Sequence, residues 1–476
     1  MTRLDVYAAA ARWPRVAALE TPNEAITYLE LARRVQDTWC ALQGDHGPFD
    51  PGLPVAWHAE PTLASLSVFY ALVTHGIPVL PLHPRLTTAE HAAQMTMVQP
   101  QAIVDAAFVA NPTIRPRHEE LAPPGADDRE VPLAILFTSG STTPGGRPVV
   151  LSRGAFVASA AASAQRLGWL ERDRWLLTLP LAHVGGISVL TRCLLAGKTV
   201  VLPEPGARPE SVLAVGRLRG ASLTSLVPTQ VRGWLESMDR DPWPALRAVL
   251  VGGAGIDQAL HEAAIARKLP LLKTYGMTEA CSQVATQPPG SWGRTSSDCG
   301  SPLPGYQVRA RDGILEVRSP SLFTGYWPNQ SAPLEAGGWW RTQDHGWLDE
   351  GGLVHVAGRA DGIIISGGEN VSLAEVEAAM VSCEGVRQVC ALGIPDPHWG
   401  ELVALLVEPQ PGCEVTGTQL TAHAQRTLGK HKRPRRWSTT RSMLLTANGK
   451  LDRARIRAIP WDWRVLDYRH PARQQE

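Results

Sequence analysis

No Cys-x-x-Cys pair, no Walker-type phosphate loop, no internal repeat and no low-complexity tract occur in the 476 residues, and no stretch approaches the roughly 18 apolar residues of a membrane span. Seven cysteines (Cys40, Cys193, Cys281, Cys299, Cys383, Cys390, Cys413) are scattered and odd in number, which speaks against a disulfide framework or a zinc site and fits a reducing, cytoplasmic setting. Charge of one sign is also lacking. With 46 basic and 45 acidic residues, the net charge of +1 predicts no nucleic-acid partner, and the short basic run from Lys430 to Arg436 reads as a solvated loop. Met1 to Leu19 is broken by Arg3, Asp5, Arg12 and Arg15, so neither export nor stable membrane insertion is expected. A homo-oligomer is compatible with this composition.

What is present describes an ordinary globular protein, 44% hydrophobic and 19% charged. Its length predicts two or more domains. Short apolar runs (Leu133 to Phe137, Leu176 to Leu179, Thr199 to Leu202, Ala248 to Val251, Leu271 to Lys273) each lead into Gly, Thr, Ser or Pro, as buried strands ending in loops do. Ala- and Leu-rich stretches of helical length, Gly154 to Leu170 and Ile256 to Lys268, lie between them. The pattern is α/β, and chemistry is sought directly after the strands, where open α/β sheets place their ligands.

The Gly- and acid-rich segment His345 to Val356 leads into Gly358-Arg359-Ala360-Asp361-Gly362, where the pattern changes. We place the boundary there, with a large domain over residues 1–360 and a small α+β domain over 361–476. In the latter, Ser372 and Glu375 have capping-box spacing before a helix. Strand-like runs Val386 to Ile394 and Leu402 to Glu408 and a helix near Gln419 to Leu428 follow.

Several clusters sit where chemistry is expected. Thr138, Ser139, Gly140, Ser141 and Thr142, continuing to Arg147, can turn backbone N–H groups onto phosphate oxygens; a plain loop is the alternative. In Tyr275-Gly276-Met277-Thr278-Glu279, Tyr275 suits stacking on adenine, Thr278 a phosphate oxygen and Glu279 a Mg2+ ion; a helix start with a charged first turn explains them equally. Gly252, Gly253 and Ala254 allow close backbone approach to a purine, as any Gly-Gly turn would. Asp344 and Arg359 suit ribose hydroxyls. Lys450, in Thr446-Ala-Asn-Gly-Lys450-Leu-Asp-Arg453, is either a mobile charge for a developing phosphoester or a surface turn residue.

In this fixed order the segments resemble the adenylate-forming superfamily of acyl-CoA synthetases, firefly luciferase and peptide-synthetase adenylation domains, over roughly residues 15 to 460. The resemblance implies a luciferase-like fold, with the small domain swinging about hinge Asp361. It also implies ATP, Mg2+ and coenzyme A as the small molecules used with a carboxylic acid. Adenylation would involve Lys450, Thr278 and Glu279, and the loop Ser366-Gly-Gly-Glu-Asn370 would admit pantetheine in a second, thioester-forming pose.

Leu179-Pro-Leu-Ala-His183-Val-Gly-Gly186 with Arg192, Val227-Pro-Thr-Gln230, Leu250-Val-Gly-Gly-Ala-Gly-Ile256 and Tyr275 through Gln283 further resemble the o-succinylbenzoate–CoA ligases of menaquinone biosynthesis. That resemblance implies a two-carboxylate substrate, with Arg192 on the unreacted carboxylate and His183, Gly253 and Ser282 around the acid. A ligase for another aryl or medium-chain acid, a non-catalytic nucleotide-binding paralogue and the loading of a separate carrier protein are the alternatives. Two departures stand out. The phosphate loop has Thr143 for Gly and Gly146-Arg147 for Pro-Lys, with one residue extra, and Gln343 replaces Gly before Asp344.

Overall fold

The computed structural model describes residues 3–105, 108, 129–138, 146–238, 243–256, 258–292, 297–359, 362–366, 369–397, 399–446 and 450–468. Among them four sheets form. The largest runs Ser282–Thr286, Leu271–Met277, Ala248–Val251, Leu223–Leu226, Arg174–Leu176, Thr199–Val201, Ala17–Glu20 and Ala25–Thr27. Its centre is parallel and both its ends are antiparallel. A second sheet runs Gly325–Tyr326, Pro148–Ser152, Pro132–Phe137, Val79–Leu82, Val55–His58 and Ala102–Val104. A four-stranded antiparallel sheet (Gln307–Arg311, Ile314–Arg318, Trp340–Leu348, Val354–Arg359) follows.

Helices between the two large sheets are buried on nearly every side, because both of their faces are covered. Leu63–Thr74 is buried at every residue but Ala64, and Val184–Ala196 buries nine consecutive residues, Gly186 to Leu194. One core therefore continues from Leu4 through Trp57, Phe69 and Trp175 to Phe323.

The expected elements are found with shifted ends. The first long helix runs Arg153–Leu167 and stops at Gly168, whose φ of 63° breaks it. The strand expected over Leu176 to Leu179 ends at Leu176, shortly before Pro180, which has no amide for further pairing. The helix expected over Ile256 to Lys268 spans Gln258–Ala266.

The small sheet contains only strands that follow Arg359: Glu369–Ser372, Ile363–Ser366, Gly400–Pro409, Arg436–Thr439 and Arg464–Val465, with Val386–Asp396 paired to Gly400–Pro409. Helices Leu373–Met380 and Gly417–Thr427 cover it around its own core of Val376, Leu405, Leu420 and Trp437. Ser372 Oγ accepts the Glu375 amide at 3.3 Å, so the expected helix start is in place.

Candidate active site

Three strands of the main sheet end at one place. Ala248–Val251 leads into Gly252-Gly253, Leu271–Met277 into Thr278 and Glu279, and Leu223–Leu226 into Val227-Pro-Thr-Gln230. Glu279 is carried on the short 3-10 turn Thr278–Ala280, after which the chain reverses sharply: Cys281 and Ser282 both have positive φ, 53° and 92°. Side-on bonds hold this strained reversal: Ser159 Oγ donates to Cys281 O at 2.7 Å, Ser321 Oγ to Ala280 O at 3.0 Å and Phe323 N to Glu279 O at 2.8 Å. Gly276 permits the close return strand, since a Cβ there would lie 1.9 Å from Ser282 O.

The antiparallel sheet adds the next groups. Asp344 and Arg359 face each other on neighbouring strands. The Tyr275 hydroxyl donates to Asp344 Oδ2 at 2.8 Å, and the Asp344 backbone amide donates to Thr342 Oγ1 at 3.0 Å, so the carboxylate and the backbone that carries it are each held. Burial and the neighbouring Asp344 keep the Tyr275 hydroxyl protonated well above the usual tyrosine range. Tyr275 therefore orients Asp344, while its ring is buried in a core with Ala280, Val284 and Tyr306. Tyr326 donates to Glu279 Oε1 at 3.3 Å and lies beneath the Arg147 guanidinium, 5.5 Å from its ring centre. Burial raises Glu279 above the ordinary carboxylate range, with Tyr326 and Arg359 opposing the shift. Thr138 N donates to Arg147 O at 3.1 Å and so ties Arg147 to the end of strand Pro132–Phe137. Ser139, Gly140, Ser141, Thr142 and the departure at Thr143 lie outside the described residues, as does hinge Asp361.

Lys450 arrives from the small domain. A Cβ added to Gly253, whose φ is 80°, would lie 3.2 Å from Lys450 Cε and 3.4 Å from Nζ, so the ammonium rests against the Gly252-Gly253 turn. Burial, together with Arg359, lowers the Lys450 pKa, with Asp344 opposing. Thus Gly253, Glu279, Asp344, Arg359 and Lys450, far apart in sequence, meet at one site. Ala254 lies exposed beside them.

Beyond Ser282 lies Arg192, on helix Val184–Ala196 and only 3% exposed. Its Nη2 donates to Ser282 Oγ at 3.3 Å and its guanidinium lies 5.5 Å from the Trp175 ring centre. Nε is buried without a hydrogen-bond partner, and among the described residues no carboxylate pairs with the group. Burial pushes its pKa down to about 10, which still leaves it charged near neutrality. His183 caps the start of the same helix without a side-chain cap bond, its ring 6.0 Å from that of His83. Tyr326, Trp175 and His83 were not nominated from sequence, where no local pattern distinguishes them. Gln343, noted only as a departure, accepts a hydrogen bond from Arg359.

Among the described residues no group of three His, Cys, Asp or Glu side chains is arranged to hold a metal ion. The lone carboxylate of Glu279 fits Mg2+, which usually takes one or two carboxylates and otherwise substrate phosphates and water. No helix among the described residues is long and apolar enough to cross a membrane.

Residues 6–327 match the AMP-binding enzyme family and residues 375–450 match the AMP-binding enzyme C-terminal domain. A 2–succinylbenzoate–CoA ligase of Bacillus cereus is 29% identical over 470 residues, covering 94% of this chain and 96% of that protein. The o-succinylbenzoate coenzyme A synthetase (MenE) of Bacillus subtilis in complex with AMP superposes with a TM-score of 0.86 at 25% identity, over 96% of this chain and 98% of that one. The same enzyme in complex with ATP and magnesium ion gives 0.85 at 25% identity, over 95% and 98%. The chain belongs to the AMP-binding enzyme family, and within that adenylate-forming superfamily it resembles the o-succinylbenzoate–CoA ligases.

Proposed function

We propose that this protein is an ATP-dependent acid–thiol ligase that converts 2-succinylbenzoate, ATP and CoA to 2-succinylbenzoyl-CoA, AMP and diphosphate through an acyl adenylate, in the cytoplasm and as a step of menaquinone biosynthesis. The observation that carries the choice of acid is Arg192, a buried guanidinium beside Ser282 that meets no carboxylate among the described residues. A substrate with a second, unreacted carboxylate completes the pairing that the fold leaves open.

In the first half-reaction the succinyl carboxylate oxygen attacks the α-phosphorus of ATP, and the bond to the bridging oxygen of diphosphate breaks. Lys450 stands against Gly253 and supplies positive charge where the phosphoryl oxygens gather negative charge. Thr278 offers a hydroxyl to the same phosphate. Asp344 and Arg359 hold the ribose hydroxyls, the former preset by Tyr275. Arg147 is assigned to the leaving phosphates, beside Tyr326 and Glu279. When bound beside Glu279, Mg2+ neutralises phosphate charge. In the second half-reaction the CoA thiolate attacks the acyl carbonyl carbon and AMP leaves with the electrons of the broken acyl–phosphate bond. The small domain turns about Asp361 between the two, withdrawing Lys450.

The test is ATP- and Mg2+-dependent formation of 2-succinylbenzoyl-CoA by the purified protein, with AMP and diphosphate released in equal amounts. Release of ADP, or thioester formation from benzoate or octanoate but not from 2-succinylbenzoate, contradicts the proposal.

A further inference from the structure

Lys450 lies on one arm of a short antiparallel projection, and adenylation as proposed above depends on where that arm points. Leu445 pairs antiparallel with Leu451. Thr446 N donates to Lys450 O at 2.7 Å, Lys450 N to Thr446 Oγ1 at 3.3 Å and Asp452 N to Leu444 O at 2.9 Å. These bonds fix the two arms against each other. They do not fix the direction in which the projection leaves the small domain.

One arm is anchored where Met443 N donates to Glu408 Oε2 at 2.6 Å, and the other is anchored three residues after Lys450. Arg453, the first residue of helix Arg453–Ala458, places Nη2 2.6 Å from Glu377 Oε2 and donates from Nη1 to Ala391 O at 2.9 Å. The other Glu377 oxygen accepts the Ala391 amide at 2.7 Å. Glu377 thereby joins helix Leu373–Met380, strand Val386–Asp396 and the segment after Lys450 in one closed ring of charge-assisted bonds. Beneath it Ile456 is fully buried with Cys390, Leu392 and Met443 and supplies the packing. The Arg453 side chain is 36% exposed, so the pair adds little to folding stability; its forked geometry fixes orientation.

We infer that Glu377 and Arg453 are positioning residues that aim Lys450 at the adenylation site and act in the first half-reaction only. The inference rests on the adenylating role of Lys450 proposed above. The clamp lies within the small domain and turns with it, so once Lys450 has withdrawn the clamp has no remaining role in the thioester step. A misplacement of the lysine by about 1 Å suffices to slow a step that depends on its alignment by up to roughly a hundredfold.

The experiment uses the full-length protein with Glu377→Gln, Arg453→Lys and Lys450→Ala, and Glu377→Gln combined with Lys450→Ala. ATP–pyrophosphate exchange with 2-succinylbenzoate reads the first half-reaction, and thioester formation from the synthetic acyl adenylate and CoA reads the second. Each clamp variant is expected to slow exchange about tenfold and to leave the second half-reaction within about twofold of wild type. In the Lys450→Ala background, Glu377→Gln is expected to add nothing further, because the group it aims is gone. Equal slowing of both half-reactions, the same loss with or without Lys450, or undiminished exchange in the clamp variants overturns the inference. Undiminished exchange in Lys450→Ala alone removes instead the lysine assignment on which it rests, and absence of exchange in the wild type removes the assignment of the acid.

Discussion

Arg192 is buried and Arg247 partly buried in the large domain, and the chain treats them in opposite ways. Arg247 meets Asp173 in a two-pronged pair, Nε to Oδ1 at 2.9 Å and Nη2 to Oδ2 at 2.6 Å. Asp173 is completed by the Leu170 amide and the Ser222 hydroxyl, each at 2.7 Å. Arg192 is buried as deeply as Asp173, and among the described residues it receives one neutral hydroxyl and an aromatic ring. A buried charge without a partner is costly to folding. At Arg247 the fold provides the carboxylate; at Arg192 none is provided among the described residues, and in the proposed function the substrate brings it.

Variants break this comparison from either side. The largest expected effect is at Arg192→Met, which keeps the volume and removes the charge: kcat/KM for 2-succinylbenzoate falls about a hundred- to a thousandfold. The melting temperature stays level or rises, because an unpaired buried charge is gone. At the other arginine the outcomes exchange places. Asp173→Ala leaves Arg247 without its carboxylate and lowers the apparent unfolding free energy by roughly 3 kcal/mol, read by chemical denaturation, while the folded fraction keeps its preference for the diacid. A stability loss at Arg192→Met, or a change of acid preference at Asp173→Ala, merges the two roles.

Smaller effects sharpen the contrast. Ser282→Ala removes the hydroxyl that steadies Arg192, for a loss of about 1 kcal/mol, or roughly fivefold in kcat/KM for the diacid, with little change toward monoacids. The smallest effect is in pH. Burial raises the Asp173 pKa, but Arg247, the Leu170 amide and Ser222 outweigh it and the net shift is downward. A carboxylate with a depressed folded-state pKa contributes stability that is present above its unfolded value and lost as pH falls through the folded one. Wild-type stability therefore falls on acidification below the ordinary aspartate range, and Asp173→Asn flattens that part of the curve. The opposite signs at the active site narrow the activity profile: the raised Glu279 moves the acid limb up and the lowered Lys450 moves the alkaline limb down.

Much of this was legible in the sequence because it depends on local pattern. The run Ala248 to Val251 matched its strand to the residue; Glu279 stood out directly after a strand, Asp344 and Arg359 as a carboxylate and a guanidinium for ribose hydroxyls, and Lys450 as a lysine on a glycine-containing turn. Order along the chain linked them to a family, but their meeting at Gly253 is a property of the sheets and the domain pose. Tyr326 could not be found that way. It reaches Glu279 from a two-residue edge strand 47 positions away, and aromatic residues at such positions usually serve the core. Arg192 was nominated by resemblance; nothing in its helical surroundings told whether it pointed outward or inward, and that is the fact on which the proposed substrate rests. Gln343 read as a defect before Asp344, whereas tertiary contact makes it a partner of Arg359.

The most direct measurement is the ratio of kcat/KM for 2-succinylbenzoate to that for 4-oxo-4-phenylbutanoate, which keeps the reacting carboxylate and the ketone and lacks the ring carboxylate. The account predicts that wild type prefers the diacid by about a hundredfold or more and that Arg192→Met brings the ratio to about one. Equal use of the two acids by the wild-type protein, or a ratio unchanged in the variant, contradicts it.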